Sequence, residues 1–155
     1  MITTQQLFDK YGKPTQDGKA YLVTIALPFP MRLAWDKNTV INKMRCHRLV
    51  AQKFSNVFVE ILQVYGLAKI QELGIDLYGG CFNFRAMRGG SDYSRHSWGV
   101  AVDLDPERNQ LKETSATARF ARSEYKQLID IFYKNGFESL GREKNYDWMH
   151  FQVEA

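Results

Sequence analysis

The sequence predicts an α+β domain, a small antiparallel sheet packed with helices. Three observations carry this expectation. A helical apolar stripe runs through the first half, short alternating segments occupy the second, and the links between those segments are too short for parallel crossovers. At 155 residues the chain is long enough for one domain with a core of its own. It is read as a single unit over 1–155, with a helical N-terminal part (1–76) and a motif-bearing core (77–153).

Residues 3–11 read as a short helix ended by Gly12 and Pro14, and Leu27-Pro28-Phe29-Pro30 reads as an extended loop. From residue 40 to about 73, Ile41, Met44, Val50, Phe54, Phe58, Ile61, Leu62 and Tyr65 recur at helical spacing. This stretch is expected to be the main core helix, broken near Gly66. Residues 77–85 then read as a strand after the stop at Gly74. A third helix is expected from Ser123, placed as an N-cap, through Tyr125, Leu128, Ile129 and Phe132 to Asn135-Gly136. Residues 137–140 and 148–153 close the sheet.

The chemistry is concentrated in two segments. In residues 99–104, alternation puts Val100, Val102 and Leu104 on one face and Gly99, Ala101 and Asp103 on the other. The second face carries small side chains beside a carboxylate, which leaves room for a metal and a substrate. His96 lies in the loop that feeds this strand. Near the C-terminus, residues 146–153 alternate as well, so Trp148, His150 and Gln152 share a face and Asp147 falls on the opposite one. Asp147 can approach His150's side only if the chain bends before Trp148, and it is therefore placed in the loop at the strand's start.

His96, Asp103 and His150 are enough to hold one zinc ion. Structural zinc sites close all four positions, usually with cysteine, whereas catalytic sites use three protein ligands and leave the fourth open. Two imidazoles and a carboxylate match the open kind. Zinc lowers the pKa of bound water from about 15.7 to about 7 and polarises a carbonyl, and Asp147 is the candidate general base. An Arg near the site would steady the developing oxyanion. Arg85 and Arg88, in Phe84-Arg85-Ala86-Met87-Arg88-Gly89-Gly90, are the candidates.

The pattern Ser94-x-His96-x-x-Gly99-x-Ala101-x-Asp103, followed by Asp147-x-x-His150-Phe151, resembles the zinc D-alanyl-D-alanine carboxypeptidase and L-alanyl-D-glutamate peptidase family. That family, peptidase M15, includes VanY-type carboxypeptidases and several phage endolysins. The resemblance spans at least residues 77–153 and implies a Hedgehog/DD-peptidase-like zinc peptidase fold. It implies zinc ligation by His96, Asp103 and His150, and catalysis by Asp147 as base. It also implies an Arg that assists the substrate carbonyl. Arg85 matches best; many members have a longer stretch before the Ser-x-His motif, so Arg88 stays open as the alternative. Ser94, Trp98, Trp148 and Arg88 are expected to contact substrate, although core packing is the default for tryptophan.

The remaining features bound this expectation. His47 sits beside Arg45 and Arg48 in apolar surroundings and is read as a surface or packed histidine. Cys46 and Cys81 have no Cys-x-x-Cys spacing and form neither a zinc cluster nor a disulfide framework. The net charge of +4 is mild and spread along the chain, and no nucleic-acid-binding motif accompanies it. No signal peptide and no membrane span is recognised, so a monomer made in the cytoplasm is expected, reaching the wall after release or within a phage particle. The expected function is zinc-dependent hydrolysis of peptidoglycan stem peptides, with L-alanyl-D-glutamate endopeptidase activity first. D-alanyl-D-alanine carboxypeptidase activity is the alternative, and a non-catalytic zinc-stabilised wall-binding module is the further one. A general metallopeptidase of ordinary L-peptides is the remaining competitor.

Overall fold

The computed structural model describes residues 1–87 and 92–155. In chain order the elements are α1 (Thr4–Tyr11), β1 (Leu22–Leu33), β2 (Asp36–His47), α2 (Ala51–Tyr65), α3 (Leu67–Leu73), β3 (Leu77–Gly80), β4 (Ala101–Leu104), α4 (Lys126–Lys134), β5 (Phe137–Ser139), α5 (Leu140–Lys144) and β6 (His150–Val153). The strands form one six-stranded sheet in the order β2-β1-β3-β4-β6-β5. All neighbours are antiparallel except β1 and β3. The α+β expectation is thus met, with one parallel pair that the short-link argument did not foresee. That pair is joined through β2 and two helices, which is ample chain for a crossover.

Helix α1 begins where expected. Thr3 Oγ1 accepts from Gln6 N at 3.1 Å while Thr3 N donates to Gln6 Oε1 at 2.8 Å, a reciprocal capping box. The largest departure follows it. The part of the chain read as helical from residue 40, and the N-terminal part taken as helical over 1–76, instead contain the long β1–β2 hairpin. Pairing runs from Leu22↔His47 to Ala26↔Lys43 and resumes at Met31↔Ile41. Pro28 and Pro30 fall inside this interruption, where a missing N–H breaks no ladder bond. The expected loop 27–30 is therefore an irregular part of a strand, with Ile25, Leu27, Phe29 and Met31 buried in strict alternation.

Helix proper starts only at Ala51, and Phe54, Val57, Phe58 and Ile61 bury one stripe against the sheet. Phe58 meets Phe29 of β1 edge-on at 6.1 Å between centroids. The chain breaks between α2 and α3 at Gly66 and stops at Gly74, as the sequence indicates. Helix α4 adds Leu128, Ile129, Ile131 and Phe132, and Phe132 stacks on Phe151 of β6 at 3.9 Å. Ser123 does not cap this helix through its side chain; it opens a 3-10 turn, Ser123–Tyr125, that leads into α4.

One face of the β4–β6–β5 part of the sheet therefore belongs to the core through Val102, Leu104, Phe151, Val153 and Phe137. By the period of two, the opposite face carries Ala101, Asp103, His150, Gln152 and Glu138. Among the described residues no helix is long and apolar enough to cross a membrane.

Candidate metal centre

Asp103 is set by β4, and β3 approaches it closely. A Cβ on Gly79 would lie 3.0 Å from both Asp103 Cβ and Asp103 O, so glycine at that position lets the two strands sit together. The register of β4 and β6 puts His150 directly across from Asp103, and His150 Nδ1 lies 3.1 Å from Asp103 Oδ1.

His96 comes from a 3-10 turn, Arg95–Trp98, whose two ends explain the residue types around it. Ser94 Oγ accepts from His96 N at 3.2 Å and caps the start. Gly99 closes the turn at φ +71°, and a Cβ there would meet His47 N and Leu22 Cδ2 at 2.9 Å each. Ser97 ties the turn to the preceding segment: its hydroxyl accepts from Arg85 N at 3.0 Å and donates to Arg85 O at 2.9 Å.

The three expected ligands converge. One ligand atom from each of His96, Asp103 and His150 lies within 4.8 Å of the others. His96 Nε2 is 3.2 Å from Asp103 Oδ2, and with the 3.1 Å contact of His150 this compares with roughly 3.3 Å between two ligands of one tetrahedral zinc. His96 Nε2 is buried and has no hydrogen-bond partner; its contact with Asp103 is an ion-pair approach without hydrogen-bond geometry. An orphaned ring nitrogen aimed at a buried carboxylate suits a cation between them. The donor set, two imidazole nitrogens and a carboxylate, suits zinc.

The electrostatics agree. Burial raises the Asp103 pKa, but the charge and close approach of His96 and the hydrogen bond and charge of His150 outweigh it and hold the group well below the usual carboxylate range. Burial lowers His150, yet Asp103, with a further charge contribution from Asp147, leaves it raised. The site is thus a negative locus that favours cations. The third histidine takes no part. His47 ends β2, fully packed, with Nε2 3.2 Å from Tyr11 O and the ring stacked on Tyr21.

Asp147 lies in the turn before β6, as the alternation argument required, with a left-handed backbone at φ +51°. Its N–H donates to Leu111 O at 2.8 Å, and its carbonyl accepts from His150 N at 3.0 Å. It lines a cavity of about 550 Å³ together with Arg85, Ser94, His96, Asp103 and His150. The loop after β4 reaches the same cavity through Leu111 and Lys112.

Other expectations are corrected. Trp98 is fully buried, donates from Nε1 to Gly12 O at 2.6 Å and packs edge-on against Phe8 and Tyr93. Trp148 packs over Gly141 and reaches Asn145 Oδ1 at 3.2 Å. Neither lines the cavity, so both are core anchors next to the site rather than substrate walls. Ser94 lines it, but its hydroxyl serves the His96 turn. Arg88 lies outside the described residues. The sequence reading missed the outer contacts of the imidazoles: His96 Nδ1 is 2.7 Å from Cys81 O, and His150 Nε2 is 2.9 Å from Gln152 Oε1. Alternation did place Gln152 on the face of His150, which was the available signal.

Comparison with known proteins adds a partial family match. No curated protein and no solved structure matches the chain. The family match covers less than half of the chain, in its C-terminal part, and supports a peptidase that acts on cell-wall peptides without fixing the bond that is cut. Residues 88–153, the stretch that holds His96, Asp103, Asp147 and His150, match a peptidase M15 family model described as D-alanyl-D-alanine carboxypeptidase.

Proposed function

We propose that the protein is a zinc-dependent peptidase that hydrolyses peptidoglycan stem peptides, with His96, Asp103 and His150 as the ligands. The observation that carries this reading is the convergence of those three donors in the wall of a cavity that also contains Asp147 and Arg85. A zinc ion held there supplies Lewis acidity toward a carbonyl and acidifies water.

The other steps fall to the chain. Asp147, beside the donors, takes a proton from the attacking water and delivers it to the leaving amine nitrogen as the peptide bond breaks. The Arg85 guanidinium donates to the carbonyl oxygen as negative charge grows on it. Its segment is held at both backbone groups by Ser97, which fixes where that side chain starts. Asp103 keeps its negative charge under burial because two imidazoles face it.

The bond we assign first is that between L-Ala and D-Glu. The terminal D-Ala bond is the second reading, favoured by the printed description of the matching family. In both cases the residue on the amine side carries a free α-carboxylate next to the scissile nitrogen, which suits a cleft containing Arg85 and Lys112. Digestion of purified peptidoglycan by zinc-loaded protein, with and without chelator, followed by mass spectrometry of the released ends, tests the proposal. New amino termini on D-Glu support the first bond and loss of terminal D-Ala the second. Absence of any chelator-sensitive product from several wall types, or activity on casein alone, overturns it.

A further inference from the structure

The far sides of the two imidazoles face different kinds of partner. Behind His96 stands a backbone carbonyl, Cys81 O, at 2.7 Å from Nδ1. A carbonyl can only accept, so Nδ1 carries the proton and Nε2 is left with its lone pair toward Asp103. Behind His150 stands a side-chain amide, which by itself fixes nothing, because a primary amide can turn either its oxygen or its nitrogen toward the ring.

The strand register supplies what the amide lacks. Gln152 lies between Ala101 on β4 and Glu138 on β5, and its Nε2 donates to Glu138 Oε1 at 3.4 Å. Rotating the amide would set its oxygen against the carboxylate oxygen of Glu138 and its NH2 against His150. In the observed orientation both contacts are attractive, and Gln152 Oε1 sits 2.9 Å from His150 Nε2. His150, Gln152 and Glu138 are all buried, at 6%, 3% and 8% exposure, so water does not offer an alternative partner cheaply.

We propose that Gln152, oriented by Glu138, is a positioning residue that holds His150 with Nε2 protonated and so presents Nδ1 to the metal. This rests on the reading of His96, Asp103 and His150 as metal ligands. The chain Asp103–His150–Gln152–Glu138 spans three neighbouring strands on the cavity-side face, so the ring is held on both of its nitrogens by groups that the sheet itself spaces. Outer partners of this kind typically change metal affinity 10–100-fold when removed.

The test uses the whole chain and two independent readouts. In zinc-loaded, 15N-labelled protein, long-range proton–nitrogen correlation of the imidazoles is expected to show His150 protonated at Nε2 and metal-shifted at Nδ1. A proton on Nδ1 in that spectrum overturns the inference without any mutation. In competition with a chromophoric chelator, Gln152→Met is expected to bind zinc about 10–100-fold more weakly, and the exchanged pair Glu138→Gln with Gln152→Glu to recover to within about threefold of the unmodified protein. Recovery is expected because the carboxylate at position 152 again accepts from the ring, while the amide at position 138 on β5 now donates to that carboxylate. The thermal midpoint of the zinc-free Gln152→Met protein separates the two roles: mere packing lowers the midpoint and leaves the affinity ratio alone. Zinc affinity equal to that of the unmodified protein in Gln152→Met overturns the positioning role while leaving the metal site standing. Failure of the unmodified protein to bind zinc overturns both.

Discussion

Gly99→Ala is the substitution through which the local fold and the metal site can be tested together. At φ +71° an alanine occupies the left-handed region, which costs about 1–2 kcal/mol for an L-residue. The added Cβ would also stand 2.9 Å from His47 N and from Leu22 Cδ2. Leu22 can rotate away, but His47 N is fixed by its bond to Gly99 O at 2.9 Å, so overpacking adds about 1–3 kcal/mol. The sum is about 2–5 kcal/mol, and with a shift of about 2–4 °C per kcal/mol for a chain of this size, the midpoint should fall by about 4–20 °C. Because Gly99 N donates to His96 O at 3.0 Å, any displacement is passed to the His96 turn, and zinc affinity should fall with it. Thermal unfolding of the zinc-free protein and chelator competition read the two effects separately. A midpoint within about 2 °C of the unmodified protein, below the smallest shift expected, or an unchanged zinc affinity, would refute the account of the turn.

Three further outcomes are expected. Asp147→Ala should keep zinc near one per chain while turnover falls by about 10²–10⁴-fold; loss of zinc in that variant means the residue is a ligand. His150→Ala should lose zinc and with it the stabilisation that a bound ligand adds, about 2.7 kcal/mol when zinc stands at a hundred times its dissociation constant; full zinc content in that protein removes His150 from the ligand set. The third concerns pH in the zinc-free protein. His150 is raised above 6.5 by Asp103 despite burial, so its contribution is fully present below the unfolded value and is lost as pH rises through the folded one. Asp103 is depressed, so its contribution is present above the unfolded carboxylate value and is lost as pH falls through the folded one. The stability advantage over Asp103→Asn should therefore be widest at about pH 5–6 and narrow on both sides. Urea unfolding across pH measures it, and an advantage that does not change with pH dismisses the coupling.

The convergence of the candidate donors was legible in the sequence because strand periodicity decides which side chains share a face. Val102 and Leu104 against Ala101 and Asp103 is a local pattern, and so is the conflict between Asp147 and His150 that required a bend. The hairpin was hidden for two local reasons. Ile41 and Met44 stand three apart and imitate a helical stripe, while Pro28 and Pro30 mask the alternation of Ile25, Leu27, Phe29 and Met31. Only pairing with β2 and the cover of α2 make that stretch a strand, and both are tertiary facts. The Glu138–Gln152–His150 chain was out of reach for a related reason, since it exists only once β5 and β6 are in register. Trp98 and Trp148 were misjudged because closeness in sequence to His96 and His150 says nothing about which way a large ring turns.

The antiparallel register of β4 and β6 also limits how this chain can change its length. Asp103 faces His150, and each is flanked by residues that belong to the opposite face. A slip of one residue in either strand would turn its donor into the apolar layer and bring Val102 or Phe151 into the cavity. The turns that bound the strands act as stops against this slip: Asp105 follows β4 at φ +45°, and Asn145 and Asp147 precede β6 at φ +56° and +51°. Asp and Asn tolerate that backbone better than other residues with a side chain. Single-residue insertions and deletions are thus confined to the loops beyond these stops, and between them the spacing of the chain is as much a part of the site as the donors are.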